Sequence, residues 1–328
     1  NRTQNRLTES PISHWQEPFA NTPDTDWSLP ANRTWIEEIV KRWRTTAIPP
    51  IPLQIGGELL NGATLGNGHD PVRPDHVAYQ YALADAAQVD RALQVARHAQ
   101  HSWAARSPSE RRRLILEASA ELARRRGELI GAMMLDGAKT VQEADPEVSE
   151  AIDLARYYAN ALAVPAEIED CHMEALGVVV VTPPWNFPLA IPAGGVLAAL
   201  MAGNSVVLKP APEAVLVSWL LVQALWVVGI PKEVLQFVPC PDNEIGRKLV
   251  TDPRTAAVIL TGSAQTARLF QEWKPTIQLF AETSGKNSAI ITALADQDQA
   301  IKDLVRSAFG HNGQKCSAAS LAICEAEV

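Results

Sequence analysis

The sequence has no apolar run long enough to cross a bilayer. Its longest, Phe187 to Ala202, is broken by Pro188, Pro192, Gly194 and Gly195 and falls short of the roughly 20 residues a spanning helix needs. It has no surplus of positive charge: 29 Lys and Arg against 37 Asp and Glu leave a net charge of -8, which removes nucleic acid as a principal partner. Its four cysteines, Cys171, Cys240, Cys316 and Cys324, form no CxxC pair and have no histidine at zinc-site spacing. Neither a disulfide framework nor a metal centre is therefore expected, and a reduced, cytoplasmic protein is. There is no GxGxxG, no internal repeat and no low-complexity tract. The first 30 residues are polar and Pro-rich, without the apolar centre of a signal peptide.

What is present is a chain of 328 residues, 47% hydrophobic, enough for a large core and more than one domain. Residues 1–45, rich in Asn, Thr, Pro and Trp, read as an arm or linker. Asp85 with Gln88 reads as a capping box, and Val89, Leu93, Ala96, Ala99 and Trp103 fall on one stripe of a helix. A second helix starts at Ser107, with Pro108 in its first turn, Glu110 at the reciprocal position, and Leu114, Ala118 and Leu122 on its buried face. The basic clusters Arg111–Arg113 and Arg124–Arg126 read as a solvated helix face. Another helix is expected over Pro146–Leu162.

After Ala175 the period changes. Leu176–Val181, Ser205–Leu208, Val234–Val238, Ala257–Leu260 and Ile277–Phe280 read as buried strands. Between them, Pro188–Ala202, Glu213–Val228, Asn243–Val250 and Ala264–Gln271 read as helices. This alternation predicts a Rossmann-like, doubly wound α/β fold around a parallel sheet. Ligands in such sheets sit beyond the carboxyl ends of the strands, so the segments just after strands are the candidates for function. They are Thr182–Pro188, with the amide of Asn186; Lys209–Glu213; Thr261-Gly262-Ser263 at a helix start; and Ala281–Asn287, with Glu282. Further on comes Gly310–Ala318, with Cys316.

Each has a plain structural reading. Asn186 is a turn former, Lys209 a solvated strand end, Ser263 a helix cap. A cysteine is by default a small hydrophobe, which suits Cys171, Cys240 and Cys324. Cys316 differs, because Gly313-Gln314-Lys315 before it is polar. Gly262-Ser263 also offers what an anion site needs, bare backbone N–H groups at the positive end of a helix.

Taken together and in order, Pro184-Trp185-Asn186-Phe187-Pro188, Leu208-Lys209-Pro210, Thr261-Gly262-Ser263, Glu282 and Gly313-Gln314-Lys315-Cys316 resemble the aldehyde dehydrogenase superfamily. The resemblance runs from about Ile55 to the end. Within the superfamily the chain is most similar to the L-glutamate γ-semialdehyde (1-pyrroline-5-carboxylate) dehydrogenases. Asp24–Trp27 and Leu29–Trp35 resemble the segment joining the two halves of bifunctional proline utilization A proteins.

The resemblance implies an oxidation of a small-molecule aldehyde in proline catabolism, with NAD ahead of NADP as cofactor. Cys316 would be the nucleophile, Glu282 the base, and Asn186 an oxyanion donor. Lys209, Gly262, Ser263, Trp185 and Glu213 would hold the dinucleotide, and Ser317 and Phe187 the substrate. It implies an NAD-binding domain over 46–283, with an oligomerisation hairpin over 160–175. Residues 284–328 would then start an incomplete α/β catalytic domain, in a chain cut off after its nucleophile. It also implies a homo-oligomer when complete, and a proline dehydrogenase module as partner. Three positions depart from the family pattern: Pro212 stands where an acidic residue is usual, Glu213 following it, and Ala267 and Ser284 replace glycines. The alternatives are a non-catalytic dinucleotide-binding fragment and a dehydrogenase for another aldehyde, and retention of Glu282 speaks against a CoA-acylating enzyme.

Overall fold

The computed structural model describes residues 3–7, 19–62, 64–162 and 173–328. The hairpin expected over 160–175 falls mainly on residues outside these, as does Cys171.

A central parallel sheet is built from β5 (Val178–Thr182), β6 (Ser205–Leu208), β7 (Leu235–Phe237), β8 (Thr255–Gly262) and β9 (Gln278–Thr283). Their order is β7-β6-β5-β8-β9, all parallel. The chain starts in the middle, winds one way and then returns to wind the other, so the crevice between β5 and β8 is the topological switch point. A short antiparallel pair, β1 (Leu53–Ile55) and β2 (Glu58–Leu60), extends the β7 edge. The fold is thus the doubly wound α/β fold expected.

Helices cover both faces of β5 and β6, which is why these strands read as unbroken buried runs of Val and Leu rather than alternating. Val178 and Val180 point into one core with α2 (Ala86–Ala104), α8 (Glu244–Thr251) and α9 (Ala264–Trp273). Val179 and Val181 point into the larger core on the opposite face. That core holds α1 (Pro30–Trp43), α3 (Pro108–Arg124), α4 (Arg126–Gly137), α5 (Val141–Asn160), α6 (Ala190–Met201) and α7 (Val215–Val227). The capping boxes at Asp85 and Ser107 are present, and the stripes they start are buried. A twisted hairpin, β3 (Thr64–Asp70) with β4 (Arg73–Leu83), adds an antiparallel ribbon. Beyond β9 a separate parallel pair forms, β10 (Asn287–Ile291) and β11 (Ala319–Cys324), linked by α10 (Gln297–Phe309).

Five expectations need correction. The strand read as buried over Ile277–Phe280 forms β9, at the sheet edge, and is largely exposed, Phe280 included. The arm contains α1, whose Ile36 and Ile39 are buried. Helix α5 begins at Val141, so Pro146 lies inside it. Losing that N–H costs about 3 kcal/mol, and burial of Ala144, Val148, Ala151, Ile152 and Ala155 offsets it. The basic clusters are only partly solvated. Arg111 is buried and donates from Nε to Met201 O at 2.9 Å, and Arg126 is buried on Asp145 at 2.8 Å. Of the cysteines read as core, Cys240 is buried but Cys324 is exposed on β11.

Candidate active site

The loops leaving the carboxyl ends of β5, β6, β8 and β9 open into one cleft of about 1290 Å³, and the Gly313–Ser317 segment closes its far wall. Asn186, Glu282, Cys316, Lys209, Gly262, Ser263, Trp185, Glu213, Ser317 and Phe187 all line it. Successive parallel strands all deliver their ends to the same edge of a sheet, so residues as distant in sequence as Thr182 and Glu282 meet there, and the cysteine loop reaches the same cleft from the β10–β11 unit.

The β5 loop is stiffened by Pro183 and Pro184, and α6 begins directly after Leu189. Asn186 turns its amide toward the cysteine loop, Nδ2 donating to Gln314 O at 2.7 Å. A carboxamide nitrogen carries two hydrogens, so this bond fixes the side chain and leaves a second donor. Phe187 lies beneath Lys139 and Lys315, whose Nζ atoms stand 4.0 and 5.8 Å from the ring centroid.

Cys316 is exposed in a tight turn closed by Ala318 N donating to Lys315 O at 3.1 Å. Asn287, at the start of β10, pins that turn, its Nδ2 donating to Cys316 O at 2.6 Å and to Ala318 O at 3.0 Å. Upstream, His311, Asn312 and Gly313 all have positive φ, near 50°, 53° and 71°. His311 N donates to Glu143 Oε1 at 2.7 Å. Its buried ring sits by Trp185, and its Nε2 has no hydrogen-bond partner among the described residues. Burial, and after it Lys139, holds the His311 imidazole below its ordinary value, so the ring is neutral around neutral pH.

Glu282 ends β9 with its side chain exposed to the cleft. It faces α5 across the site: burial, then Tyr157, then the Glu282 charge push the Tyr158 phenol up. Glu150, also on α5, lines the same space, and burial followed by repulsion from Glu147 raises its carboxyl.

Between the ends of β5 and β9, Ser263 caps α9, accepting from Thr266 N at 3.0 Å. A Cβ on Gly262 would find its nearest neighbour, Leu260 Cδ1, at 3.6 Å. No close packing therefore forces a glycine here, and what its bare backbone provides is access for a ligand at a helix N-terminus. Lys209 is buried, not solvated, and its Nζ pairs with Asp242 Oδ1 at 2.6 Å. Glu213 is exposed on the β6 loop. Among the described residues, no group of His, Cys, Asp and Glu could hold a metal ion, and no helix is long and apolar enough to cross a membrane.

Sequence reasoning missed a support beneath both loops. Lys139 and Glu147 form a buried ion pair, and Glu147 Oε1 also accepts from Leu189 N at 2.8 Å and Ala190 N at 3.1 Å at the start of α6. The signal available was Thr140 with Glu143, a capping box that starts α5 six residues before Pro146 and puts Glu143 and Glu147 on one face.

A model of the aldehyde dehydrogenase family matches residues 66–328. The 1-pyrroline-5-carboxylate dehydrogenases of Staphylococcus epidermidis and Bacillus subtilis are 34% and 33% identical to the chain, over 95% and 94% of it and 64% of each of them. A crystal structure of the Thermus 1-pyrroline-5-carboxylate dehydrogenase with bound NAD superposes with a TM-score of 0.89 at 33% identity, covering 95% of this chain and 64% of that one. Proline utilization A from Bdellovibrio bacteriovorus gives 0.90 at 31% identity, over 95% of this chain and 34% of its own. The chain thus spans about two thirds or less of the proteins it matches.

Proposed function

The chain belongs to the aldehyde dehydrogenase family, and on that premise we propose that it carries the dinucleotide cleft and nucleophile of an NAD-dependent L-glutamate γ-semialdehyde dehydrogenase. Such an enzyme oxidises the semialdehyde, the open form of 1-pyrroline-5-carboxylate, to L-glutamate in proline catabolism. The observation that carries the reading is the meeting of Asn186, Glu282 and Cys316, from three separate segments, in one cleft that also presents the N-terminus of α9 behind Gly262.

The residues present fit a dinucleotide. Gly262 and Ser263 would take the pyrophosphate at the N-terminus of α9, Lys209 and Glu213 the adenosine ribose, and Trp185 would flank the site. When bound, NAD accepts the hydride that the aldehyde carbon loses. The rest falls to side chains. The Cys316 thiolate adds to the aldehyde carbon, forming a C–S bond and placing the electron pair on oxygen. The second Asn186 N–H and the Cys316 backbone N–H stabilise that oxyanion. Oxidation of the adduct leaves a thioester on Cys316. Glu282 then takes a proton from water, which attacks the thioester carbon and expels the thiolate. Phe187 and Ser317 form the substrate wall, Ser317 as donor to a carboxylate.

We assign 46–283 to dinucleotide binding and 284–328 to the beginning of the catalytic unit. A homo-oligomer and a proline dehydrogenase partner module are the assembly this reading favours, the latter supported by the likeness to proline utilization A proteins. Free thiols at Cys240, Cys316 and Cys324 suit a cytoplasmic setting.

The test pairs turnover with a covalent readout. NADH formation from 1-pyrroline-5-carboxylate should vanish in Cys316→Ala. Glu282→Gln should fall about 10²–10⁴-fold and accumulate a thioester on Cys316, visible as an added acyl mass. Turnover that survives Cys316→Ala sinks the mechanism. Dinucleotide binding without any acylation of Cys316 sinks it in favour of a non-catalytic module, and acylation by other aldehydes alone sinks the substrate.

A further inference from the structure

Reading the cleft as a dinucleotide site does not say which dinucleotide it takes, and the residue that decides lies outside every motif read from the sequence. Across the sheet the strand ends present Glu282 on β9, Ser263 after β8, Asn186 after β5, Lys209 after β6 and Asp242 after β7. The reacting groups Glu282 and Asn186 flank the helix N-terminus at Ser263, so an extended dinucleotide with its pyrophosphate there and its reactive ring among them has its adenosine half at the β6 and β7 ends.

There the Lys209 side chain, 10% exposed, is neutralised by Asp242, whose own side chain is 71% exposed on the cleft wall. The pairing depends on close backbone approach. A Cβ on Gly246 of α8 would come within 2.8 Å of Pro241 O and 3.9 Å of Lys209 Cε. Glu213 stands nearby on the β6 loop. Tyr81 senses both carboxylates, its phenol raised by burial first and then by Glu213, Asp136 and Asp242. Arg247 also lines this end, but its guanidinium lies over Trp273 at 5.6 Å and 3.6 Å from Glu244.

We propose that Asp242 is a specificity residue that makes the cleft select NAD over NADP. Ribose hydroxyls donate to a carboxylate and accept from the lysine beside it, so an unmodified ribose satisfies both partners of the Lys209–Asp242 pair. A phosphate on the ribose 2′-oxygen brings roughly 1.5–2 negative charges toward Asp242 and Glu213, and meets an ammonium already committed. Like-charge opposition is a source of specificity distinct from attraction to the favoured ligand. Asp242 thereby supplies the carboxylate that Pro212 cannot.

The inference rests on the dehydrogenase reading of the cleft, and the experiment separates the two. The purified chain is titrated with NAD and with NADP, following quenching of its tryptophans, of which Trp185 and Trp273 line the cleft; no turnover is required. Wild type should bind NAD about tenfold tighter than NADP or better. Asp242→Asn and Asp242→Ser should each lower that preference about tenfold, chiefly by tightening NADP, and Asp242→Glu should keep it. Equal affinities in wild type, or an unchanged ratio in Asp242→Asn, overturn the inference and leave the dehydrogenase reading standing. Binding of neither dinucleotide by wild type overturns both.

Discussion

Lys139 and Glu147 are each only 1% exposed, and two charges removed from water so completely are stable only as a pair with further hydrogen bonds. Glu147 makes those bonds to Leu189 N and Ala190 N, just past Asn186 and Phe187. Glu147→Gln should therefore destabilise the fold by about 3–5 kcal/mol, because it strands a buried ammonium. Urea unfolding reads this directly, and Lys139→Met added to Glu147→Gln should recover much of the loss; equal stability of the single and double variants would show that the pair is unimportant. Asn186→Ala should leave folding intact and lower kcat about 10²–10³-fold, a split that a purely structural asparagine would not give. Asp136 offers a pH test. It is wholly buried, accepts from Tyr79 Oη at 2.7 Å and Val217 N at 3.0 Å, and burial raises its carboxyl from 3.8 to about 7. The folded state thus favours the proton. Its stabilising contribution is full below 3.8 and is lost as pH rises through about 7. Comparing the thermal midpoints of wild type and Asp136→Asn across that window should show the difference shifting in the variant's favour with rising pH; a constant difference would refute the assignment.

Helices α1 and α4 dock through two glycines. A Cβ on Gly127 would collide with Ile39, and one on Gly131 with Trp43, so the four-residue spacing cuts a notch along α4 into which α1 seats. Gly131→Val should undock α1, raising proteolytic cleavage before residue 45 while the sheet's far-side core is untouched; unaltered cleavage would show that the notch can reorganise. This docking was not legible in the sequence, because α1 buries few apolar side chains and its fit depends on glycines about 90 residues downstream. The strands at 178–182 and 205–208 were legible, since strands covered on both faces read as unbroken β-branched runs. So were α2 and α3, whose caps and stripes are local. The site divides the same way. Asn186, Lys209, Ser263 and Glu282 could be found because each lies at or just beyond the carboxyl end of a strand. Asp242, Lys139 and Glu147 could not, because their significance lies in partners from other segments. Pro146 hid the start of α5, and Arg111 and Arg126 passed for surface charge because burial by backbone carbonyls and Asp145 leaves no local pattern.

On the scale of the molecule, cover differs along the chain. Strands β5 to β7 of the central sheet are clothed on both faces, whereas Phe280 of β9 and Ile290, Leu294, Ile301, Val305, Phe309, Leu321 and Ile323 of the β10–α10–β11 unit are all exposed. Exposed apolar side chains in such number favour binding of other apolar surface. The chain should therefore bind a hydrophobic dye, and Ile301→Lys with Val305→Glu should weaken that binding without lowering the thermal midpoint. Dye binding unaffected by the pair would place the sticky surface elsewhere.

The order of the strands along the chain has a consequence for biosynthesis. Lys209, Ser263 and Glu282 all precede Cys316, and the sheet that holds them is complete at Thr283. Polypeptides fold from the N-terminus as they leave the ribosome. The nascent protein therefore has the sheet side of its cleft before it has the Cys316 thiol, and the reactive sulfur emerges beside that finished wall instead of waiting, exposed, for one to be made.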